Sequence, residues 1–487
     1  MSEGSSRCVR LLVLVLCLAA APTIAGAEAP AAPATAAHPA EESLGQSLPA
    51  LTIAPFAAIL LAIAVFPLAA PHWWEHNRNK GLVAAVLAVP LSIYLLAAWS
   101  NKGAGHALLH TAEEYVSFIA LLGALFVISG GILVRGSLSG TPLANTGVLA
   151  LGAACASLVG TTGASMLLIR PLLRANATRR AKAHIVVFFI FIVSNCGGLL
   201  TPLGDPPLYL GFLNGVPFEW TLRLWKEWLL VNGLLLVIFN IWDQFVLKRE
   251  ERERDGAQLE QALIHEPLKI SGLHNLLFLA GTVAAIYARG RGLGHGGQPW
   301  PFGVQEGLLA GLAALSYFLT PKSIHQANRF SFGPINEVAI LFAGIFVTMI
   351  PALLILNAHG NNLGITEPWQ FFLVSGALSS FLDNAPTYLT FVSTACGMNN
   401  VNAADPGYLA TFLALPAAHR AEEFLAAISC GSVFMGANTY IGNGPNFMVK
   451  AIAEQDGVKM PGFFGYMLYT AGILLPIFAV VTLAFFM

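Results

Sequence analysis

Charge is what this sequence lacks. Of its 487 residues only 10% are Asp, Glu, Lys or Arg, while 56% are hydrophobic and mean hydropathy is +0.68. A soluble domain carries roughly 25% charged residues, so a set of water-soluble domains is excluded. The net charge of −1 leaves no basic footprint for nucleic acid. Cysteine is also sparse. Cys8 and Cys17 fall in an N-terminal leader, and Cys155, Cys196, Cys396 and Cys430 each stand alone in an apolar segment with no CxxC. That excludes a disulfide framework and a cysteine metal site. The 12 histidines form no HExxH, which excludes a zincin site. What is abundant is Phe (31), Gly (47) and long apolar runs. The chain reads as an all-α polytopic membrane protein.

Residues 1–27 read as a signal peptide: Arg7 and Arg10 are its basic start, Leu11–Ala21 its apolar core, and Ala25-Gly26-Ala27 its cleavage site. Residues 28–50, rich in Ala and Pro, read as a disordered extracytoplasmic tail. Apolar stretches of membrane-spanning length follow at 51–70, 81–99, 114–134, 184–213, 226–247, 271–288, 303–320, 337–356, 422–450 and 463–486. Two others, 144–173 and 367–396, carry a polar, small-residue break at their centre.

Orientation follows from Lys and Arg. With the mature N-terminus outside a bacterial-type inner membrane, the loops at 71–80, 135–143, 174–183, 248–270, 321–336 and 450–462 are cytoplasmic. Counted with Arg170, they hold 17 of the 25 Lys and Arg. The positive-inside rule is met only if 144–173 and 367–396 are re-entrant hairpins. The expected fold is then about ten transmembrane helices plus two hairpins in two inverted repeats, 51–250 and 269–487. A cytoplasmic linker at 251–268 joins them, and the mixed-charge run at 248–255 leads into it.

The repeats share a motif. Ser194 through Pro207 lies over Ser432 through Pro445, so that Ser194/Ser432, Gly198/Gly436, Thr201/Thr439, Gly204/Gly442 and Pro207/Pro445 coincide. The hairpin breaks correspond with Gly160–Ser165 over Leu382–Thr387. Paired Gly/Pro interruptions in two halves point to the binding site of a secondary transporter. A helix unwound in a bilayer leaves backbone groups unpaired, so each break needs protein, water or an ion to satisfy it. Gly204 and Gly442 permit unusual backbone angles, while Pro206, Pro207 and Pro445 stop the ladder. Thr161, Thr162, Ser165, Thr201, Asn384, Thr387, Asn438, Thr439, Asn443 and Asn446 offer neutral oxygens, which suit a hard cation. Half-helix N-termini alternatively suit an anion.

Asp205 and Asp383 are the carboxylates placed well inside the predicted spans. An intramembrane acid is a functional candidate by default. Asp205, before two prolines, is also a candidate helix cap. Asp383 has no basic neighbour in sequence, so it is expected to be either protonated or cation-bound, which makes it the proton-coupling candidate. Arg170 reads as snorkelling to the interface, and Glu337 and Glu422-Glu423 as solvated helix starts. An intramembrane aspartyl protease built on Asp205 and Asp383 is disfavoured, because Pro206-Pro207 leaves no room for a peptide.

At these residues the chain resembles the ion transporter superfamily, which includes NhaD-type sodium/proton antiporters, arsenite carriers, and citrate and dicarboxylate carriers. Gly197-Gly198 with Thr201-Pro202-Leu203-Gly204-Asp205-Pro206-Pro207 is similar to that group's GG-x-x-T-x-IGDPP-N element. Ser379–Pro386 resembles its S-x-x-x-DN-x-P hairpin, and Gly436-Ala437-Asn438 with Gly442-Asn443 its GAN-x-x-x-IG element. The chain departs at Thr161, where a carboxylate is expected, at Leu208, which replaces Asn, and at Gly442–Asn446, which reads more like the carboxylate carriers. It looks like a subfamily of NhaD-like antiporters and citrate transporters.

The resemblance implies a homodimer with hairpin and broken-helix tips meeting at midmembrane. It implies no enzyme and no cofactor, with Na⁺ and H⁺ as transported or coupling ions. Sodium candidates are Thr161, Thr162, Gly204, Asp383, Asn384 and Gly442. Sodium/proton antiport is the leading expectation, and cation-coupled transport of citrate or another carboxylate the alternative. Partners are membrane lipid and a small cation or carboxylate. No P-loop is present, so an ion gradient is the expected energy source.

Overall fold

In a bilayer, an apolar run satisfies its own backbone polar groups only as a helix, and helices are what these runs form. The computed structural model describes residues 44–135, 140–252, 269–296, 300–359, 364–403, 405–416 and 418–487. The expected signal peptide, most of the expected 28–50 tail and most of the expected 251–268 linker lie outside them. The principal helices of the first half are α1 (Ala54–Ala69), α2 (Asn77–Trp99), α3 (Ala104–Gly130), α4 (Pro142–Ala175), α5 (Ala183–Ile192), α6 (Pro206–Leu213) and α7 (Trp225–Arg252). Those of the second are α8 (His274–Gly290), α9 (Val304–Leu319), α10 (Gly333–His359), α11 (Pro368–Ser379), α12 (Asn384–Met398), α13 (Ala418–Met435), α14 (Gly444–Gln455) and α15 (Phe463–Phe486). Among the described residues, eight helical stretches are long and apolar enough to cross a membrane. The protein is an all-α polytopic membrane protein.

One of those eight does not run straight. α4 starts with Thr141 as N-cap and Pro142 in its first turn, but at Gly160 the backbone turns to φ 80°, ψ 150°. Such a φ suits glycine. The chain reverses there, and its ends come together: Asn145 Nδ2 donates to Asn176 Oδ1 at 3.0 Å, and Asn176 Nδ2 donates to Asn145 Oδ1 at 2.8 Å. A straight helix would separate those residues by about 46 Å. α4 is a hairpin. α11 and α12 form a second one around residues 380–383, where the Phe371 and Phe391 rings, each about equally far from the tip, lie 6.4 Å apart.

The loops gather on two faces. On one, Lys80 pairs with Glu337, Arg179 with Asp243, and Asn328 donates to the Gly130 and Ile132 carbonyls. There, too, β1 (Leu133–Arg135) pairs antiparallel with β2 (Lys269–Ser271). On the other, Arg291 pairs with Glu219, Arg223 with Glu422, and Arg420 with Glu367. α5 runs through the centre, with Ile185 to Val193 all buried. α2 lies at the periphery and exposes Leu82, Val86, Val89 and Ile93, as a lipid-facing helix does.

Candidate functional site

Two interrupted helices, α5–α6 and α13–α14, cross at the centre. Their breaks share one backbone. Thr201 has φ −141°, ψ 157° and Thr439 φ −139°, ψ 168°. Asp205 and Asn443, each just before the following half-helix, are extended at φ −145°, ψ 145° and φ −153°, ψ 140°. Each threonine hydroxyl donates to a carbonyl at a hairpin tip, Thr201 to Ser157 and Thr439 to Ser380. Gly204 and Gly442 are needed for close approach and not, as expected, for unusual angles. Neither has a positive φ, but a Cβ on Gly204 would sit 2.0 Å from the Gly198 oxygen, and one on Gly442 2.6 Å from the Gly436 oxygen.

The hairpin contacts shift the expected correspondence by one residue. With Ser157 and Ser380 equivalent, Thr161 stands opposite Asn384 and Gly160 opposite Asp383. Thr161 and Asn384 then do the same thing. Thr161 Oγ1 donates to Asp205 Oδ1 at 3.0 Å, and Asn384 Nδ2 donates to Asp205 Oδ2. Asn443 Nδ2 donates to Asp205 Oδ1 at 3.2 Å. Asp205 is 1% exposed, and all its side-chain donors are neutral.

The two acids differ in capping. Asp205 occupies an N-cap position but makes no capping bond. Asp383 does cap, accepting from the Ala385 amide at 3.2 Å. Both line a cavity of about 600 Å³, together with Thr161, Thr162, Gly204 and Asn443, and Glu75, Lys80 and Glu337 line it as well. Four helix N-termini reach this space: the second arm of α4 at Thr161, α6 at Pro206, α12 at Asp383 and α14 at Gly444. Each carries a partial positive charge; Pro206, Pro207, Pro386 and Pro445 supply no N–H there, and the Thr161 and Ala385 amides already donate to the Gly204 carbonyl and to Asp383. Beside Asp205, the buried Oδ1 of Asn384 has no partner, so a cation there would find a carboxylate and a spare amide oxygen. The residues present suit a small hard ion.

The remaining expected residues hold the frame. Ser165 bonds Ser194 at 2.8 Å, Asn438 donates to Ser380 Oγ at 2.8 Å, and Thr387 bonds the Asp383 carbonyl at 3.0 Å. Gly204 lends its carbonyl to the Thr161 amide at 2.8 Å. Asn195, inside the repeated motif yet not singled out by sequence, links the breaks. Its Nδ2 reaches Asn446 Oδ1 at 2.7 Å, while Asn446 donates to the Gly436 and Thr439 carbonyls, each at 2.9 Å.

Asp205 and Asp383 are not the sole acids inside the helices. Asp243 is 0% exposed and Glu306 2%. Asp243 binds Arg179, His184 and Asn145, and Glu306 binds Ser117, Arg289 and the Gly303 amide. Both stand within a few residues of the end of an expected span.

Paired hairpins and interrupted helices around a buried carboxylate define a polytopic membrane protein of the transporter class. Residues 45–486 match the family described as "Putative citrate transport", and the chain belongs to that family. This is a citrate-transport family and not specifically the NhaD-like antiporters. No curated protein matches the chain.

Proposed function

We propose that the protein is a secondary transporter that carries a small carboxylate anion, citrate being the substrate named for its family, together with cations. The observation that carries this reading is the pairing of opposite poles in one cavity. Asp205 and Asp383 offer cation sites, and the partial positive charge of four helix N-termini favours an anion. Among the described residues, the lining acids Glu75, Asp205, Glu337 and Asp383 outnumber the one base, Lys80, so a bare polyanion would be repelled. A cation-bound carboxylate would not. In this reading the matched breaks are the centres of two inverted repeats, and the face bearing Lys80 and Arg179 is cytoplasmic, which makes the cavity inward-open. The hairpins with α5–α6 and α13–α14 form the moving unit. The other helices form the scaffold and a dimer interface.

Sodium/proton antiport is the second reading. It is favoured by the neutral donors around Asp205 and by Asp383 at the same cavity, an arrangement in which cation and proton compete for a carboxylate. One vesicle preparation separates the two. Labelled citrate should accumulate when an inward sodium, magnesium or proton gradient is imposed. No citrate uptake, with proton flux after a sodium pulse, would replace this reading with antiport.

A further inference from the structure

Lys80 is the single base among the described residues that line the cavity, and it sits where helix physics disfavours it. It lies in the first turn of α2, beside the positive end of the helix dipole, and its side chain is only 4% exposed. Its partner is Glu337 in the early part of α10, with Nζ and Oε1 2.6 Å apart. The Trp74 ring centre is 5.9 Å from the same Nζ. The pair is lopsided, because Glu337 is 44% exposed. Glu337 can therefore leave for water at little cost, whereas an abandoned Lys80 would be a buried, unpaired charge.

We propose that Lys80 recognises the substrate at the cavity mouth, where a carboxylate of the incoming anion replaces Glu337 as its partner. The proposal rests on the carboxylate reading above. The exchange puts one carboxylate in the place of another, so the ammonium stays neutralised throughout, and the displaced Glu337 is solvated. A cation substrate would find no such exchange at Lys80. Glu337 is thus a competitor that holds the ammonium between transport events, and the acids deeper in the cavity are left to the coupling cations.

The test is the kinetics of labelled citrate uptake by the full chain in proteoliposomes at saturating coupling cation. Lys80→Gln should raise the citrate KM about tenfold, the worth of one charge-assisted contact, with the maximal rate within about twofold. Lys80→Arg should recover most of that loss. Glu337→Gln removes the competitor and should move KM in the opposite direction, lowering it severalfold. A structural brace would behave differently: both charge-removing variants would lose folded protein or maximal rate together, with KM unchanged, and that result overturns the assignment. Wild-type protein without citrate uptake would overturn the carboxylate reading itself. Wild-type uptake with one KM across all three variants would overturn the role of Lys80 alone.

Discussion

The break before α6 and the break before α14 have the same backbone and different chemistry. Both use a glycine pressed against a carbonyl, a threonine bonded to a hairpin tip and a proline in the first turn of the next helix. The residue that enters the half-helix is Asp205 in one and Asn443 in the other, and the amide donates to the acid. Geometry is thus held by residues common to both breaks, while the charge is confined to one position in one of them. A single ionisable group at the crossing gives the site a direction that its backbone symmetry does not have.

The largest effect should come from the shared geometry. Gly204→Val and Gly442→Val each push a side chain into backbone oxygen, which cannot rotate away. Overpacking costs roughly 1–3 kcal/mol and more where the neighbour is rigid, so both should lose folded protein on size-exclusion chromatography. Gly204→Val should be worse, its Cβ contact being 2.0 Å against 2.6 Å. Normal yield and thermal stability for both would show that the close approach is not required.

Next comes the residue that makes the breaks differ. Asp205→Asn keeps the shape, and Asn384 can turn its free Oδ1 toward the new amide, so the protein should fold. Citrate uptake should fall by about a hundredfold or more, the loss expected when an essential charge is removed. Wild-type-like uptake would remove Asp205 from the cation site. Asn443→Asp makes the breaks alike by placing a second acid against the first. Like charges at that distance disfavour joint ionisation, so uptake should drop about tenfold and demand a higher coupling-cation concentration; unchanged cation dependence would contradict this.

The smallest effect on stability should be that of Asp383→Asn. Asn caps a helix about as well as Asp, within a few tenths of a kcal/mol, so thermal stability should hold. Its transport defect then reports chemistry alone: uptake should lose its response to an imposed proton gradient. A retained response would assign proton coupling elsewhere.

Much of this was legible in the sequence, because each break is written in Gly, Thr and Pro at fixed spacing and the spans are written in uninterrupted apolar runs. Gly160 marked a reversal, and the Lys/Arg distribution required that reversal before any geometry was known. Other parts were hidden for physical reasons. The hairpin alignment was one residue off because similar small residues fit both registers, and only the Thr201 and Thr439 bonds choose between them. The glycines at 204 and 442 look the same in sequence whether they serve backbone angle or close approach. The burial of Asp243 and Glu306 was not legible, because burial near a helix end depends on which other helices arrive there. Asp205 does not make the capping bond that its position suggests, because a carboxylate before a half-helix can face its own backbone or a neighbour across the crossing.

The bond between Asn195 and Asn446 has a mechanical consequence. It joins two chain segments 251 positions apart in sequence, and Asn446 passes the connection on to the Gly436 and Thr439 carbonyls within the second break. With Asn443 also held by the Ser194 carbonyl, the crossing is cross-braced like a riveted joint rather than hinged. Neither break can open by itself without leaving buried amides unpaired. Under the transport reading proposed above, the crossing would travel as one block, and a change of access to Asp205 would come from sliding that block against the surrounding helices.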